Sequence, residues 1–312
     1  MGQFLIVNLA GGVGAARFLE GLVRVIPQRE ITVIGNVGDD IDVHGLHISP
    51  DLDIVVYTLA GLVDRVKGWG FRGDTFLCQE MLRQFGYETW FNLGDRDLAT
   101  HIYRTERLRE GKRLSEVTQA LVRHFGLRIK LLPATDDRLE TYILTRNGSM
   151  HFEEYMVKRK TVPQVRKVSF RGAVSAKPAT NVIQSIEKAD GVIIAPSNPI
   201  VSIGAILAVP GIRSALRRTR ATKIGISPII GGKTVKGPAD KLMRAVGFKA
   251  TALGVAECYR DFLDTLIIDS VDKKLVPRIQ DLGIRPIVTN TLMKRVSDKV
   301  RLARITVSEL KR

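Results

Sequence analysis

The chain has 312 residues, of which 45% are hydrophobic, and its 48 Lys and Arg against 32 Asp and Glu give a formal net charge of +16. This apolar content suffices for one large α/β domain, or for one domain with a sizeable insertion. No apolar run approaches the ~20 residues of a membrane span and the N-terminus lacks a secretory leader pattern, so we expect a cytoplasmic protein without a membrane partner.

The basic charge is compatible with a nucleic acid, an anionic lipid or a small polyanionic substrate. The sequence has no zinc-finger or helix-turn-helix signature, and aromatic residues make up only 6% of the chain. We therefore attribute most of the charge to solvated helix faces and expect no nucleic-acid partner.

The first forty residues predict a strand, a glycine-rich turn, a helix and a second strand. Apolar runs at 4–7 and 31–34 are typical of buried parallel strands. The turn between them contains three glycines: Gly11, Gly12 and Gly14. Such a turn brings backbone N–H groups and a helix N-terminus close to an anion, although a tight connection that binds nothing is the alternative. Arg17 stands where the dinucleotide fingerprint needs a third glycine or alanine, and it favours a charged phosphate as the ligand.

The next stretch predicts a helix beginning near Pro50, a helix at 75–85 and a strand end at 90–93. Helices at 99–108 and 114–125 follow, and then strands at 128–132, 141–145 and 151–157, with a hairpin turn at Asn147-Gly148. This breaks the alternation of strands and helices. We predict a single domain, 1–312, whose core is 1–100 and 181–312 and whose insertion or cap subdomain is about 101–180.

Alternation then resumes to the end of the chain. Helices are predicted at 182–189, 239–246 and 251–263, and strands at 191–195, 223–226, 265–268 and 285–288, before a basic C-terminal helix. The pattern predicts an α/β fold with a Rossmann-like, doubly wound, mainly parallel sheet and an inserted α+β cap region. Ligands of such sheets bind beyond the carboxyl ends of the strands, where the polar loops of this chain follow its apolar runs.

Carboxylates are dense in these loops. They are Asp39, Asp40, Asp42, Asp51, Asp53, Asp95 and Asp97. Mg²⁺ takes one or two carboxylates together with substrate phosphate oxygens, and phosphoryl transfer uses such an ion to offset negative charge. For each aspartate taken singly, a helix cap or a turn is an equal alternative.

Other polar residues in the same loops suit anion or nucleoside binding. Arg96 could clamp a phosphate or carboxylate with its planar guanidinium, or could pair with Asp95 or Asp97. Ser197 and Asn198 lie between prolines, where they could hydrogen-bond a base or ribose or could simply form a turn.

Taken together, the motifs resemble those of the 2-phospho-L-lactate transferase family (CofD/FbiA) of coenzyme F-420 biosynthesis. They are Ala10-Gly-Gly-Val-Gly-Ala-Ala-Arg17, Asn36-Val-Gly-Asp-Asp40, Ser49-Pro-Asp-Leu-Asp53, Leu93-Gly-Asp-Arg-Asp-Leu-Ala-Thr-His101, Pro196-Ser-Asn-Pro199 and Ser227-Pro-Ile-Ile-Gly-Gly232. The resemblance extends from residue 4 to about residue 292. It implies a Mg²⁺-dependent transfer of a phospholactyl or phosphoenolpyruvyl group from its guanosine diphosphate-activated form to the deazaflavin FO, with release of GMP.

The resemblance also implies roles for particular residues. Asp53 would contact FO or its metal, Asn92 would be a second FO position, and Asp39 would be the other metal-associated carboxylate. The expected catalytic residues are therefore Asp53, Asp39 and Arg96, with Asp39 and Asp53 as metal ligands. The expected substrate-binding residues are Asp53, Asn92, Gly11, Gly12, Gly14, Arg17, Asn36, Ser197 and Asn198. A deazaflavin needs an apolar wall, for which Trp69, Phe71, Trp90 and Phe91 are candidates.

Two other functions are compatible with parts of this pattern. A non-enzymatic nucleotide-sugar-binding regulator of the same superfamily would share the glycine turn and Asn36, but is not expected to combine the motifs ending at Asp53 and His101. A nicotinamide-dependent dehydrogenase is disfavoured by Arg17. The choice among lactyl, enolpyruvyl and glyceryl donors stays open, and a homodimer would be an ordinary assembly.

Overall fold

The structure is a computed structural model that describes residues 4–311. Its strands are β1 (Ile6–Ala10), β2 (Ile31–Gly35), β3 (Ile41–Val43), β4 (Leu46–Ile48), β5 (Lys130–Pro133), β6 (Glu140–Thr145), β7 (Gly148–His151), β8 (Val165–Arg171), β9 (Gly191–Ile194), β10 (Thr222–Ile226), β11 (Ile229–Ile230), β12 (Lys233–Thr234), β13 (Thr265–Asp269) and β14 (Arg285–Thr289). Its α-helices are α1 (Gly12–Leu22), α2 (Pro50–Leu59), α3 (Leu77–Gln84), α4 (Asp95–Arg109), α5 (Leu114–His124), α6 (Val182–Glu187), α7 (Ile203–Ala208), α8 (Ile212–Arg218), α9 (Ala239–Ala245), α10 (Ala252–Tyr259), α11 (Val276–Gln280) and α12 (Val296–Leu310).

A seven-stranded parallel sheet forms the centre of the molecule, in the order β14-β13-β10-β9-β1-β2-β5. In β1, Leu9 is in register with Ile34 of β2 and with Ile194 of β9. Every residue of β1, β9 and β13 is buried, because helices cover both faces of a doubly wound sheet. The predicted α/β class with a mainly parallel sheet is confirmed.

Helix α1 packs against α2 and the C-terminal helix α12. A Cβ on Gly21 would lie only 2.3 Å from the carbonyl oxygen of Lys299, so the crossing of α1 and α12 requires glycine there. Next to it, the buried Glu20 accepts a hydrogen bond from Lys299 Nζ and pairs with Arg65 at 2.9 Å. None of the helices within residues 4–311 has the length and apolar character to cross a membrane.

Smaller sheets lie outside the central one. β3 and β4 form a hairpin, β7-β6-β8 form an antiparallel sheet, and β11 pairs with β12. The turn predicted at Asn147-Gly148 does connect two antiparallel strands, β6 and β7. β5, which lies in the stretch 101–180, is the edge strand of the central sheet and pairs with β2. Within that stretch, the departure from parallel α/β architecture is therefore the β7-β6-β8 sheet.

Two predicted strands are wrong. Only His151 of the predicted strand at 151–157 is extended, and Glu154–Lys158 forms a π-helical turn. Residues 90–93 form a loop, and none of them pairs with a neighbouring strand in the described sheets; the Gln79 side chain contacts this loop instead. Its Nε2 donates to the carbonyl oxygens of Thr89 (3.0 Å) and Phe91 (3.2 Å).

Candidate functional site

A cleft of about 720 Å³ lies at the carboxyl ends of the central strands. The loops after β1, β2, β9, β10 and β14 all contribute to it, as expected for a doubly wound sheet. Its volume is in the range of small-molecule sites. The predicted site residues that line it are Gly11, Gly12, Gly14, Arg17, Asp39, Asp53, Asn92, Ser197 and Asn198.

The glycine turn allows three elements to approach one another closely. A Cβ on Gly14 would lie 2.2 Å from the carbonyl oxygen of Pro196, and a Cβ on Gly11 would lie 2.7 Å from Asp51 Oδ2. Gly12 has a φ of +71°, a conformation that favours glycine. The N-terminus of α1 therefore packs against both the loop after β9 and the first turn of α2.

Some donors of this turn already have partners within the protein. The Gly11 N–H donates to Ser197 Oγ at 3.3 Å. The Gly12 N–H faces the carboxylate of Asp51, and this contact offsets part of the effect of burial, which raises the pKa of Asp51. An acidic side chain of the protein thus lies at the helix N-terminus, a position that stabilises an anion.

The loop after β9 is a turn that the Asn198 side chain stabilises. Asn198 Oδ1 accepts hydrogen bonds from the N–H groups of Ile200 (2.9 Å) and Val201 (3.3 Å). This is the turn role considered for Asn198 in the sequence, and Ser197 fixes the neighbouring glycine turn. Both residues still line the cleft.

Asn36 is completely buried and supports the site from behind. Its Oδ1 accepts from the Gly38 N–H at 2.8 Å, and its Nδ2 donates to Asp51 Oδ2 at 2.9 Å. It is not among the residues that line the cleft. Its role in this structure is therefore to hold Asp51 rather than to contact a ligand.

Three buried carboxylates share one wall of the cleft: Asp39, Asp51 and Glu153. Burial, followed by repulsion from Asp51, Glu153 and Asp40, holds the pKa of Asp39 well above its ordinary value. Burial also raises the pKa of Asp51 to about 6, and burial with repulsion from Asp51 and Asp40 raises the pKa of Glu153 to about 8. Asp39 Oδ1 is buried and has no hydrogen-bond partner among the described residues. These side chains would be stabilised by a cation.

Sequence reasoning missed Glu153, because the predicted strand at 151–157 carried no site residue. A mixed polar and apolar segment, His151-Phe-Glu-Glu-Tyr155, stands at that point and is the only local signal. The π-helical turn at Glu154–Lys158 follows Glu153 directly.

Asp53 lies on α2 and pairs with Arg104 of α4. Both side chains are buried, and Arg104 Nη2 donates to Asp53 Oδ1. Asp53 Oδ2 has no hydrogen-bond partner within residues 4–311, although His101 Nδ1 lies 3.8 Å from it. One oxygen of Asp53 is therefore fixed by Arg104, and the other is buried without a hydrogen-bond partner among the described residues, in a side chain that lines the cleft.

The remaining aspartates of the sequence pattern have structural partners. Asp40 accepts from Ser49 Oγ at 2.8 Å, Asp42 lies 3.3 Å from Arg138, and Asp95 accepts from the N–H groups at the start of α3. Asp95 thus has the cap role that the sequence left open, whereas Asp42 lies in strand β3 and forms an ion pair rather than a turn. Asp97 also lines the cleft and accepts from Tyr57 Oη at 2.7 Å.

Arg96 does not lie where a phosphate clamp is expected. Its side chain is exposed and is not part of the cleft lining described here, and its backbone N–H donates to Asp74 Oδ1 at 2.9 Å. The reason is helical geometry, since successive positions of α4 point about 100° apart and Asp97 takes the inward direction. Asn92 does line the cleft, and its Oδ1 accepts from Gln79 Nε2 at 3.2 Å.

Of the four aromatic candidates, Trp69 and Phe91 line the cleft. Phe71 instead packs against Tyr57 with ring centroids 4.3 Å apart, and Trp90 packs edge-on against Phe91 at 5.6 Å. The cleft also has three lysines that the sequence reasoning did not select. They are Lys67, Lys236 and Lys294.

Within residues 4–311, no three His, Cys, Asp or Glu side chains are arranged to hold a metal ion by themselves. An ion in this cleft would need substrate oxygens or water to complete its coordination.

Comparison with known proteins decides the family. A sequence profile described as "2-phospho-L-lactate transferase CofD" matches residues 6–306. The chain belongs to the CofD family. It is therefore a member of a transferase family, and the resemblance inferred from the motifs is confirmed.

Individual relatives in the CofD family match this sequence over nearly its whole length. A phosphoenolpyruvate transferase of Streptomyces griseus is 45% identical over 305 residues, covering 96% of each chain. A 2-phospho-L-lactate transferase of Methanococcoides burtonii is 38% identical over 303 residues, covering 97% of this chain and 98% of that one. A crystal structure of a UPF0052-family protein from Bacillus halodurans has a TM-score of 0.67 at 17% identity, covering 98% and 99% of the two chains, which shows the shared fold alone.

Proposed function

We propose that this CofD-family protein transfers a phosphoenolpyruvyl or phospholactyl group from its guanosine diphosphate-activated form to the deazaflavin FO and releases GMP. The observation that carries the proposal is the composition of one cleft. Two buried carboxylate oxygens without hydrogen-bond partners among the described residues, on Asp39 and Asp53, share it with the glycine turn and with several cationic side chains.

The cations suit a diphosphate and a carboxylate on the donor. Arg17, Lys67, Lys236 and Lys294 all line the cleft. Burial and the charge of Arg17 lower the pKa of Lys236, which indicates that these two cations are close enough to repel each other. An anionic donor would relieve this repulsion, as it would for any cluster of like charges.

The acidic wall suits Mg²⁺. Asp39 and Asp53 each have an oxygen without a hydrogen-bond partner in the described chain, and Asp51 and Glu153 add negative charge near Asp39. Mg²⁺ commonly uses one or two carboxylates with substrate phosphates and water, so the residues fit the ion. We propose Asp39 and Asp53 as its ligands; when bound, the ion would offset the charge that develops on the diphosphate oxygens.

The acceptor would enter between Trp69 and Phe91, whose rings can contact the apolar deazaflavin. Its terminal ribityl hydroxyl attacks the phosphorus distal to guanosine. We propose that Asp53 Oδ2, which Arg104 does not hold, accepts a hydrogen bond from that hydroxyl. In this proposal the protein orients the nucleophile, because phosphoryl transfer depends mainly on positioning and on stabilisation of charge.

The donor is proposed to be the enolpyruvyl form. Relatives named phosphoenolpyruvate transferase are 44–46% identical to this chain, whereas those named 2-phospho-L-lactate transferase are 38–41% identical. Mass spectrometry of the product formed from competing enolpyruvyl, lactyl and glyceryl donors tests this choice. A product that is mainly lactyl or glyceryl would reject it.

Turnover tests the activity itself. Purified protein with FO, activated donor and Mg²⁺ should form the phosphodiester and GMP, and Asp53→Asn should nearly abolish turnover. Asparagine is preferred to alanine because it keeps the shape of the side chain and an oxygen that can accept a hydrogen bond from the buried Arg104, although it carries no charge to compensate the guanidinium. Asp281→Asn, an exposed aspartate after α11, is the matched control. Full turnover in Asp53→Asn would refute the site assignment.

The regulator alternative makes a different prediction. Fluorescence titration with FO should show saturable binding to the transferase. A nucleotide-sugar sensor should not bind a deazaflavin.

A further inference from the structure

The residues around Asp53 form a buried chain between two helices. Asp53 and Tyr57 lie one turn apart on α2, and the other members lie on one face of α4 at i, i+4 and i+7. They are Asp97, His101 and Arg104. Tyr57, His101 and Arg104 are at most 2% exposed, Asp53 is 5% exposed and Asp97 is 7% exposed.

Both terminal nitrogens of the Arg104 guanidinium contact hydrogen-bond acceptors. Nη2 donates to Asp53 Oδ1, while Nη1 lies 3.2 Å from His101 Nδ1 and 3.4 Å from the carbonyl oxygen of His47. A guanidinium can only donate hydrogen bonds, so Nδ1 of His101 must be an acceptor. His101 is thereby assigned as the neutral tautomer with its proton on Nε2.

The far end of the chain keeps His101 in this orientation. Its Nε2 lies 3.3 Å from Asp97 Oδ1, an electrostatic contact that is not aligned as a hydrogen bond. The same oxygen accepts from Tyr57 Oη at 2.7 Å. Asp97 therefore faces Nε2 of His101 and is itself held by the Tyr57 hydroxyl.

This geometry leaves His101 unsuited to remove a proton from a substrate. Its basic nitrogen faces a guanidinium, and its other nitrogen carries the proton. The contacts among these residues instead control the orientation of Asp53. Arg104 fixes one carboxylate oxygen of Asp53 and so determines the direction of the other. The free oxygen is Oδ2, which is buried without a partner in the described part of the chain and belongs to a residue that lines the cleft.

We infer that Arg104 and His101 are positioning residues, which orient the free oxygen of Asp53 toward the acceptor hydroxyl through the chain Asp97–His101–Arg104–Asp53. The inference rests on the proposed function for its kinetic consequence. The alternative is a purely structural role, in which Arg104 and His101 only join α2 to α4.

The kinetic test compares variants that keep or remove each contact. His101→Asn retains an oxygen near the position of Nδ1 as an acceptor for Arg104, whereas His101→Leu does not. Arg104→Lys keeps the charge but loses the planar fork. We expect His101→Leu and Arg104→Lys to lower kcat about 10- to 100-fold, because small misplacements of reacting groups have effects of this size. His101→Asn should recover most of the loss, and the KM for the donor should stay near the wild-type value in every variant.

Urea unfolding of each variant provides the control for folding. Assays are run under conditions where unfolding shows every variant to be fully folded. Arg107→Lys, on the next turn of α4 and paired with Glu110 at the surface, should behave as wild type. Equal kcat in His101→Asn and His101→Leu, unchanged kcat in Arg104→Lys, or losses confined to KM would each overturn the inference.

Crystal structures of the wild type and of Arg104→Lys and His101→Leu give a readout that needs no turnover. In both variants, the Asp53 carboxylate should turn away from its wild-type orientation. A carboxylate that superimposes on the wild type in both would overturn the inference. If the wild-type protein forms no phosphodiester, the proposed function fails, and these structures alone decide the positioning role.

Discussion

Glu153→Gln should increase stability at alkaline pH, because this buried glutamate is hard to ionise in the folded protein. Its pKa is raised from 4.5 to about 8, first by burial and then by repulsion from Asp51 and Asp40. Below about pH 4.5 the side chain is protonated in both the folded and unfolded states, and it has no effect on the pH dependence of stability.

As the pH rises from 4.5 to about 8, only the unfolded chain releases the proton, so the folded state loses stability relative to the unfolded one. At about 1.4 kcal/mol per pH unit, this interval corresponds to about 5 kcal/mol. That is an upper bound, since Glu153 shares the electrostatic repulsion with Asp39 and Asp51. Glutamine has nearly the same shape and does not titrate.

Urea unfolding in the presence of EDTA measures the effect at about pH 5 and about pH 8.5. The stability difference between Glu153→Gln and wild type should be small at the lower pH. It should grow by several kcal/mol in favour of the variant at the higher pH. The control is Glu106→Gln, which replaces an exposed glutamate on α4. A difference that is the same at both pH values would show that Glu153 does not have a raised pKa.

Three further substitutions test the packing around the site. Gly14→Ala places a Cβ 2.2 Å from the Pro196 carbonyl oxygen in the loop after β9. We expect the free energy of unfolding to fall by about 2 kcal/mol and the KM for the donor to rise. Wild-type values of both quantities would contradict the close approach. Glu20→Gln leaves the buried Lys299 without its carboxylate and should lower the free energy of unfolding in urea by about 3–5 kcal/mol. The double variant Glu20→Leu, Lys299→Met should recover most of this lost stability. A double variant no more stable than Glu20→Gln would argue against a buried ion pair. Tyr57→Phe removes the 2.7 Å hydrogen bond to Asp97 and should lower the unfolding free energy by about 1–2 kcal/mol, so an unchanged denaturation midpoint would exclude a net contribution from that bond.

The local elements, and the edge of the sheet at which the site lies, could be predicted from the amino-acid sequence alone. Short apolar runs such as those that became β1, β2 and β13 reflect burial on both faces, and this property is visible within five residues. The side chains that follow such strands lie beyond their carboxyl ends. Asp39, Asp53 and the glycine turn could therefore be predicted to share one cleft before their contacts were known.

Only the tertiary structure decided which side chains meet. Glu153 and Asp51 are a hundred residues apart in the chain, Arg104 and Asp53 are separated by 51 positions, and Lys299 and Glu20 by 279. Local periodicity cannot predict such pairs, because it reports which face of an element is buried and not which partner covers it. For the same reason, Arg96 was predicted at the site, whereas Arg104, two turns further along α4, is the arginine that contacts Asp53.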